Sequence, residues 1–341
     1  MDDDGAVVRE IRVRTGEVRS LVWDGDDLLD PVGGWRRWSA DGREHRRTRR
    51  RFAEMYDRAV TSPSGRWTVV YGERGTRGLL LDGRRVVREL RRDDEQADAF
   101  DYPVGLGELP DGREVLVHCP ERYDLLLIED VATGERLAAG SREEMSNLFH
   151  SRPAVSPGGR WLMTAGWVWH PAAICDVHDL DRVLTDASVL DADGILDLLS
   201  LSHAEVDSAC WLDGDRLAVV AGDIGWYPEM DDESGEGRGQ GPRQLGVWSC
   251  SSATWLHRHD IPGPFGAILG CGEAVLALYG YPRLYDIRTG ELVARWPRLA
   301  TSRQEGPYGV THIPTPVAAV HPDGTRVALA VESGIAVIGL P

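Results

Sequence analysis

The chain has 341 residues, an apolar fraction of 42% and a formal net charge of −17. That length and apolar share allow a sizeable core, in two ordinary domains or in one large repeat domain. The charge excludes general affinity for nucleic acid, whose phosphates need a basic surface, and the lack of any apolar run of about eighteen residues excludes a membrane-spanning helix.

Thirty-nine glycines, nineteen prolines and twelve tryptophans suit many short strands joined by turns, and every basic residue is arginine. The N-terminal Met1-Asp2-Asp3-Asp4 is acidic where a signal peptide would be basic and then apolar, so a cytoplasmic location is expected. The five cysteines lie far apart with no Cys-x-x-Cys pair, which points away from a zinc knuckle or a disulfide framework. Cys119, Cys175 and Cys210 stand in or beside apolar stretches and read as buried thiols.

In chain order, residues 7–13 alternate like a half-buried edge strand. Weak strands follow at 18–22, Asp27–Asp30 and 35–38, and then a segment from Glu44 in which Arg43, Arg46, Arg47, Arg49, Arg50 and Arg51 form a local positive patch. It reads as a solvated outer strand that offsets neighbouring acids.

Glycines of tight turns then recur at Gly25, Gly65, Gly112, Gly159, Gly214, Gly272 and Gly324, with steps of 40, 47, 47, 55, 58 and 52 residues. Self-similarity of this length marks a repeat architecture. Each turn precedes an apolar strand, as in Trp67-Thr68-Val69-Val70-Tyr71 and Glu114-Val115-Leu116-Val117-His118. A later strand ends in an acidic residue and a Thr-Gly turn. Leu127-Ile128-Glu129-Asp130-Val131-Ala132-Thr133-Gly134-Glu135 matches Leu284-Tyr285-Asp286-Ile287-Arg288-Thr289-Gly290-Glu291 in this way.

At these residues the chain resembles the WD-repeat β-propeller family. The clearest unit runs from Ser202-His203 through Cys210-Trp211-Leu212-Asp213-Gly214 to Leu217, with Val247-Trp248-Ser249 where the family's Trp-Asp falls. The Gly-His pair is lost, and Trp23-Asp24 stands before a turn instead of at a strand end. The resemblance implies an all-β fold of seven four-stranded antiparallel blades, strands a (inner) to d (outer), with a structural role for His203. The last blade has its apolar strands at 326–330 and 335–338 but no outer strand after them. Residues 6–13 are therefore expected to complete it and close the ring.

In such a ring the a–b and c–d turns share one rim. Extra length here falls on the other, in the d–a connections 91–100, 140–151, 185–201 and 297–315 and in a polar b–c insertion at 222–243. Long loops carry binding. That rim bears Tyr102, Trp167, Trp169, His170, Trp226, Tyr227, Tyr279, Tyr281 and Tyr308 with Arg152, the residue types of interface anchors. The starts of inner strands bring Asp57, Arg58, Asp101, Arg152 and Asp207 toward the axial mouth.

No phosphate loop, nucleophile elbow or zinc-protease motif occurs. His257 and His259 share a strand face and Asp191-Ala192-Asp193-Gly194 is a partial calcium-loop pattern, but neither completes a ligand set. No metal or cofactor is expected. The implied function is a non-catalytic scaffold that binds a protein or peptide, preferably basic, on the decorated rim. The alternative is a hydrolase or lyase with a small-molecule pocket at the axial mouth.

Overall fold

The computed structural model describes residues 8–12, 17–39, 41–46, 52–53, 55–140, 148–168, 172–201, 204–223, 243–301 and 315–341. Its strands form seven antiparallel sheets, the blades of a β-propeller, and strand order within a blade follows chain order except in the last, whose outermost strand is the N-terminal one. This topology follows from the turns, since a tight connection lets consecutive strands pair directly. Six of the seven turn glycines hold φ between 59° and 84°, a region other residues enter only with strain. Gly214 is the exception. There Asp213 closes the turn by accepting the Asp215 and Arg216 backbone N–H groups at 2.8 and 2.7 Å.

The repeated Thr-Gly-Glu turns have a common cause as well. Asp130 Oδ1 accepts the N–H groups of Ala132 and Thr133, and Asp286 Oδ1 accepts those of Arg288 and Thr289. The carboxylate takes the place of a backbone acceptor and holds the chain in its reversal.

The ring closes as expected. Val8–Arg12 pairs antiparallel with Gly334–Gly339, from Val8 opposite Ile338 to Arg12 opposite Gly334. Ile11, 4% exposed, packs with Val18, Leu28 and Trp38 of the first blade and Ala328 and Ile335 of the last. Trp67 and Trp161 are core residues at equivalent places in blades 2 and 4. Each is capped by the preceding arginine, whose guanidinium lies 4.7 or 5.0 Å from the ring centre.

Two blades depart from the regular pattern. In blade 3 the described strands are Val104–Glu108, Glu114–His118 and Leu127–Asp130, extended only by a bridge between Glu129 and Arg136. Leu180 and Val183 of the helix Leu180–Thr185, with Leu190 of the 3-10 turn Ala187–Asp191, pack against Leu126 and Ile128 beside it. A helix thus begins just before the connection expected at 185–201. In blade 4 the inner strand is split into Leu148–His150 and Ala154–Val155, both paired with Trp161–Val168. Pro153 lies in the gap, where a residue without an N–H cannot continue the ladder. Arg152 precedes it and is exposed.

The insertion expected at 222–243 is shorter than that. Gly222 and Asp223 belong to the strand Arg216–Asp223 and Arg243 opens Arg243–Ser249, while 224–242 lie outside the described residues. Among the described residues no helix is long and apolar enough to cross a membrane.

Candidate active site

Repeat register places charge at one level of the ring. Arg58, Arg152 and Asp207 each stand seven residues before their turn glycine, Gly65, Gly159 and Gly214. Arg58 opens the inner strand Arg58–Thr61, Arg152 precedes Ala154–Val155, and Asp207 lies in Ala204–Trp211. Asp101 precedes Val104–Glu108 in blade 3, and Thr315 precedes Ala318–Val320 in blade 7.

Four of these join one network. Arg58 Nη2 donates to Glu73 Oε2 at 2.6 Å and to the Thr315 carbonyl at 3.0 Å. Arg152 Nε donates to Asp101 Oδ2 at 2.6 Å, and its Nη2 donates to Thr315 Oγ1 at 2.8 Å. The Thr315 N–H donates to Glu73 Oε1 at 3.3 Å, and the Glu73 N–H to Asp57 Oδ1 at 2.7 Å. Thr315 therefore ties blade 7 to blades 2 and 4, so the network spans the axial mouth. Side-chain exposure rises from 9% at Glu73 through 14% at Asp101 and 19% at Arg58 to 42% at Arg152. The inner members are held in place and the outer ones face solvent.

The surroundings shift acidities. Burial, reinforced by Asp101 and Glu73, pushes the Tyr71 phenol up, so it stays protonated throughout the neutral range. Desolvation pulls Arg152 down, but Asp101 and Glu73 outweigh it and the net shift is upward.

Asp207 sits apart from this network. It lies at a bulge between Val206 and Ser208 and accepts from Arg243 Nε at 2.7 Å. Burial raises its carboxyl despite the arginine, and burial together with Asp207 raises Glu205. A cavity of about 240 Å³ lies elsewhere, at the outer edge of blade 3, lined by Leu125, Leu126, Leu127, Ile128 and Leu190, with Glu121 and Arg136 among its polar neighbours. It is mainly aliphatic, whereas the titratable groups converge at the mouth.

Of the expected rim anchors among the described residues, Tyr102 and Trp167 are packed into the fold. Tyr102 is only 2% exposed and packs with Trp67, Val69 and Val104, under the Arg92 guanidinium. Arg92 is itself buried, donating to the carbonyls of Gly75, Ala97, Phe100 and Asp101 and so folding the 93–101 connection over the ring. Trp167 packs in a cluster with Phe100 and Phe149, and Tyr123 stacks on Phe149 at 4.0 Å. These rings cover the rim by packing on one another. Tyr279 and Tyr281 are half-buried. Trp169, His170, Trp226, Tyr227, Tyr308 and His203 lie outside the described residues. His257 and His259 stack with ring centres 6.2 Å apart, and no third ligand joins them among the described residues.

Of the five axial residues expected from sequence, Asp57, Arg58, Asp101 and Arg152 come together and Asp207 does not. Tyr71, Glu73, Thr315, Glu205 and Arg243 were not singled out. The common offset from the turn glycine carries the signal for Arg58, Arg152 and Asp207. No equivalent signal marks Thr315, whose partners lie 257 and 163 residues away.

No known protein family and no curated protein sequence matches the chain. A solved structure of hydrazine synthase from Kuenenia stuttgartiensis is similar over 96% of this chain and 97% of its own, with a TM-score of 0.60 and 13% identity. At that identity the likeness shows the fold alone. The expectation of a non-catalytic interaction scaffold, which rested on the WD-repeat resemblance and the lack of a reaction motif, is corrected by this finding, because here the same fold belongs to an enzyme. The chain is a seven-bladed β-propeller closed by its N-terminal strand.

Proposed function

We propose that the protein is an enzyme that acts on a small molecule at the axial mouth, by acid–base chemistry of the hydrolase or lyase kind. The observation that carries this reading is the network of Arg58, Glu73, Thr315, Arg152 and Asp101, in which charged groups from three blades meet at one end of the ring and Thr315 joins them from a fourth. Convergent titratable groups beside a residue of shifted acidity are what an acid–base site requires. Tyr71 is assigned as the proton donor from its place beside Asp101, Glu73, Arg58 and Arg152, the charges that act on its phenol. Asp101 is the proton acceptor, taking a proton from water in a hydrolysis or from carbon in an elimination, while Tyr71 protonates the leaving group. Arg58 and Arg152 orient the substrate and offset charge that develops on it.

Hydrazine synthase supports this reading only in that such a ring can belong to an enzyme. The Asp-centred turns at Asp130 and Asp286 favour degenerate WD-type repeats as the origin of the blades. That no disulfide links the five cysteines fits the cytoplasmic placement that belongs to this proposal.

The test is conversion. Purified protein incubated with a cell metabolite extract and followed by mass spectrometry should consume at least one small molecule. Tyr71→Phe and Asp101→Asn should each slow that consumption by about 10²-fold or more, the scale of general acid–base catalysis. If nothing is consumed, or both variants keep the wild-type rate, the assignment fails.

A further inference from the structure

Resting on the mouth as the active site, we infer that its substrate is a small zwitterion, carrying a carboxylate and an ammonium group on one molecule. Charge balance is the first reason. Asp57, Glu73 and Asp101 set three carboxylates against the two guanidiniums of Arg58 and Arg152. Among the described residues Arg58 is paired with Glu73 and Arg152 with Asp101, so the Asp57 charge remains for a cation, while an anion reaches the two guanidiniums by displacing the oxygens of Thr315. A molecule of both signs answers both.

The second reason is the geometry around Thr315. Arg58 Nη2 and Arg152 Nη2 approach two oxygens of one residue, its carbonyl at 3.0 Å and its hydroxyl at 2.8 Å. Two guanidiniums converging on a pair of neighbouring oxygens is the arrangement a carboxylate satisfies. Arg58 Nε is buried and has no acceptor among the described residues, so the donors open to a ligand are the Nη2 groups now held by Thr315.

The ammonium end is assigned to Asp57. Its side chain is 45% exposed, its Oδ1 accepts the Glu73 N–H, and the nearest guanidinium nitrogen, Arg58 Nη1, stands 4.0 Å away. Its charge is therefore available to a cation from solvent. Thr315 has a definite place in this scheme. Its hydroxyl occupies the Arg152 donor that the carboxylate needs, so an incoming substrate competes with it for that donor.

Ligand-observed saturation-transfer NMR on the full-length protein tests this, with the standard amino acids as probes and acetate and methylammonium as single-charge controls. At least one amino acid should bind about tenfold or more tightly than either control. Arg152→Gln, an exposed position whose variant is checked for folding by circular dichroism, should weaken that binding at least about tenfold, as should Asp57→Asn. Thr315→Val keeps the shape and removes the competing acceptor, so it should tighten binding by about 2- to 10-fold, the worth of one hydrogen bond. The inference is overturned if no amino acid binds better than acetate and methylammonium, or if Arg152→Gln binds as the wild type does. A converted substrate of single charge would refute the zwitterion and leave the active site standing. Amino acids bound at Arg152 while Tyr71→Phe and Asp101→Asn convert at full rate would refute the active site instead.

Discussion

Ile11→Ala measures how much the ring depends on its N-terminal strand. Ile11 is 4% exposed and lies against Leu28 and Trp38, each 1% exposed, and Ile335, fully buried. Truncating a buried isoleucine to alanine costs about 2–5 kcal/mol, from lost transfer energy and from the cavity left behind. Because the strand is the outer one of its blade, where neighbours can partly collapse into the space, the lower part of that range applies, about 2–3 kcal/mol. At roughly 2 °C per kcal/mol for a chain of this size, the melting temperature should fall by about 4–6 °C. The assay is urea and thermal unfolding followed by the fluorescence of the twelve tryptophans. Leu256→Ala is the control, since Leu256 also lies on an outer strand but is 44% exposed, and it should shift stability by less than about 0.5 kcal/mol. Deleting residues 1–13 should cost more than Ile11→Ala, because the edge of Gly334–Gly339 then loses its partner as well. Equal small effects of Ile11→Ala and Leu256→Ala, with an undiminished midpoint after the deletion, would refute closure by this strand.

Two further outcomes follow from buried ionisable groups. Burial pushes the Glu129 carboxyl up, but His118 Nε2 at 3.3 Å and Arg88 Nη2 at 2.7 Å reverse that and leave it below the ordinary glutamate value. A carboxyl depressed in the folded state binds fewer protons than in the unfolded chain, so its stabilisation is present above the unfolded value and is lost as pH falls through the folded one. Urea midpoints should therefore drop from about pH 5 downward, and Glu129→Gln should flatten that slope; an unchanged slope counts against the pairing. Burial also pushes the Cys250 and Cys271 thiols up to about 12, and Cys119 and Cys175 are buried too. Since the thiolate is the reactive form, native protein at pH 8 should resist thiol reagents and yield five equivalents only when unfolded. Rapid native labelling of several thiols would contradict the packing.

The sequence by itself determined the architecture, because that rests on local chemistry repeated. Turn glycines at Gly65, Gly112 and Gly159 need positive φ, Asp130 and Asp286 hold their own turns, and apolar alternation between them sets which face is buried. Even ring closure was legible, as an outer strand missing at one end of the chain and an unassigned alternating stretch at the other. What escaped was anything decided by neighbours distant along the chain. Tyr102 read as a rim anchor because it stands in a connection, yet its ring fills a gap beside Trp67 that only the stacking of blades 2 and 3 creates. The repeat register aligned Arg58, Arg152 and Asp207, but it could not tell that Thr315 would bridge the first two or that Arg243 would take the third. Ion pairing is set by distance in space and by how far each pair is withdrawn from water. Those quantities exist only once seven separately specified blades have been brought around one axis.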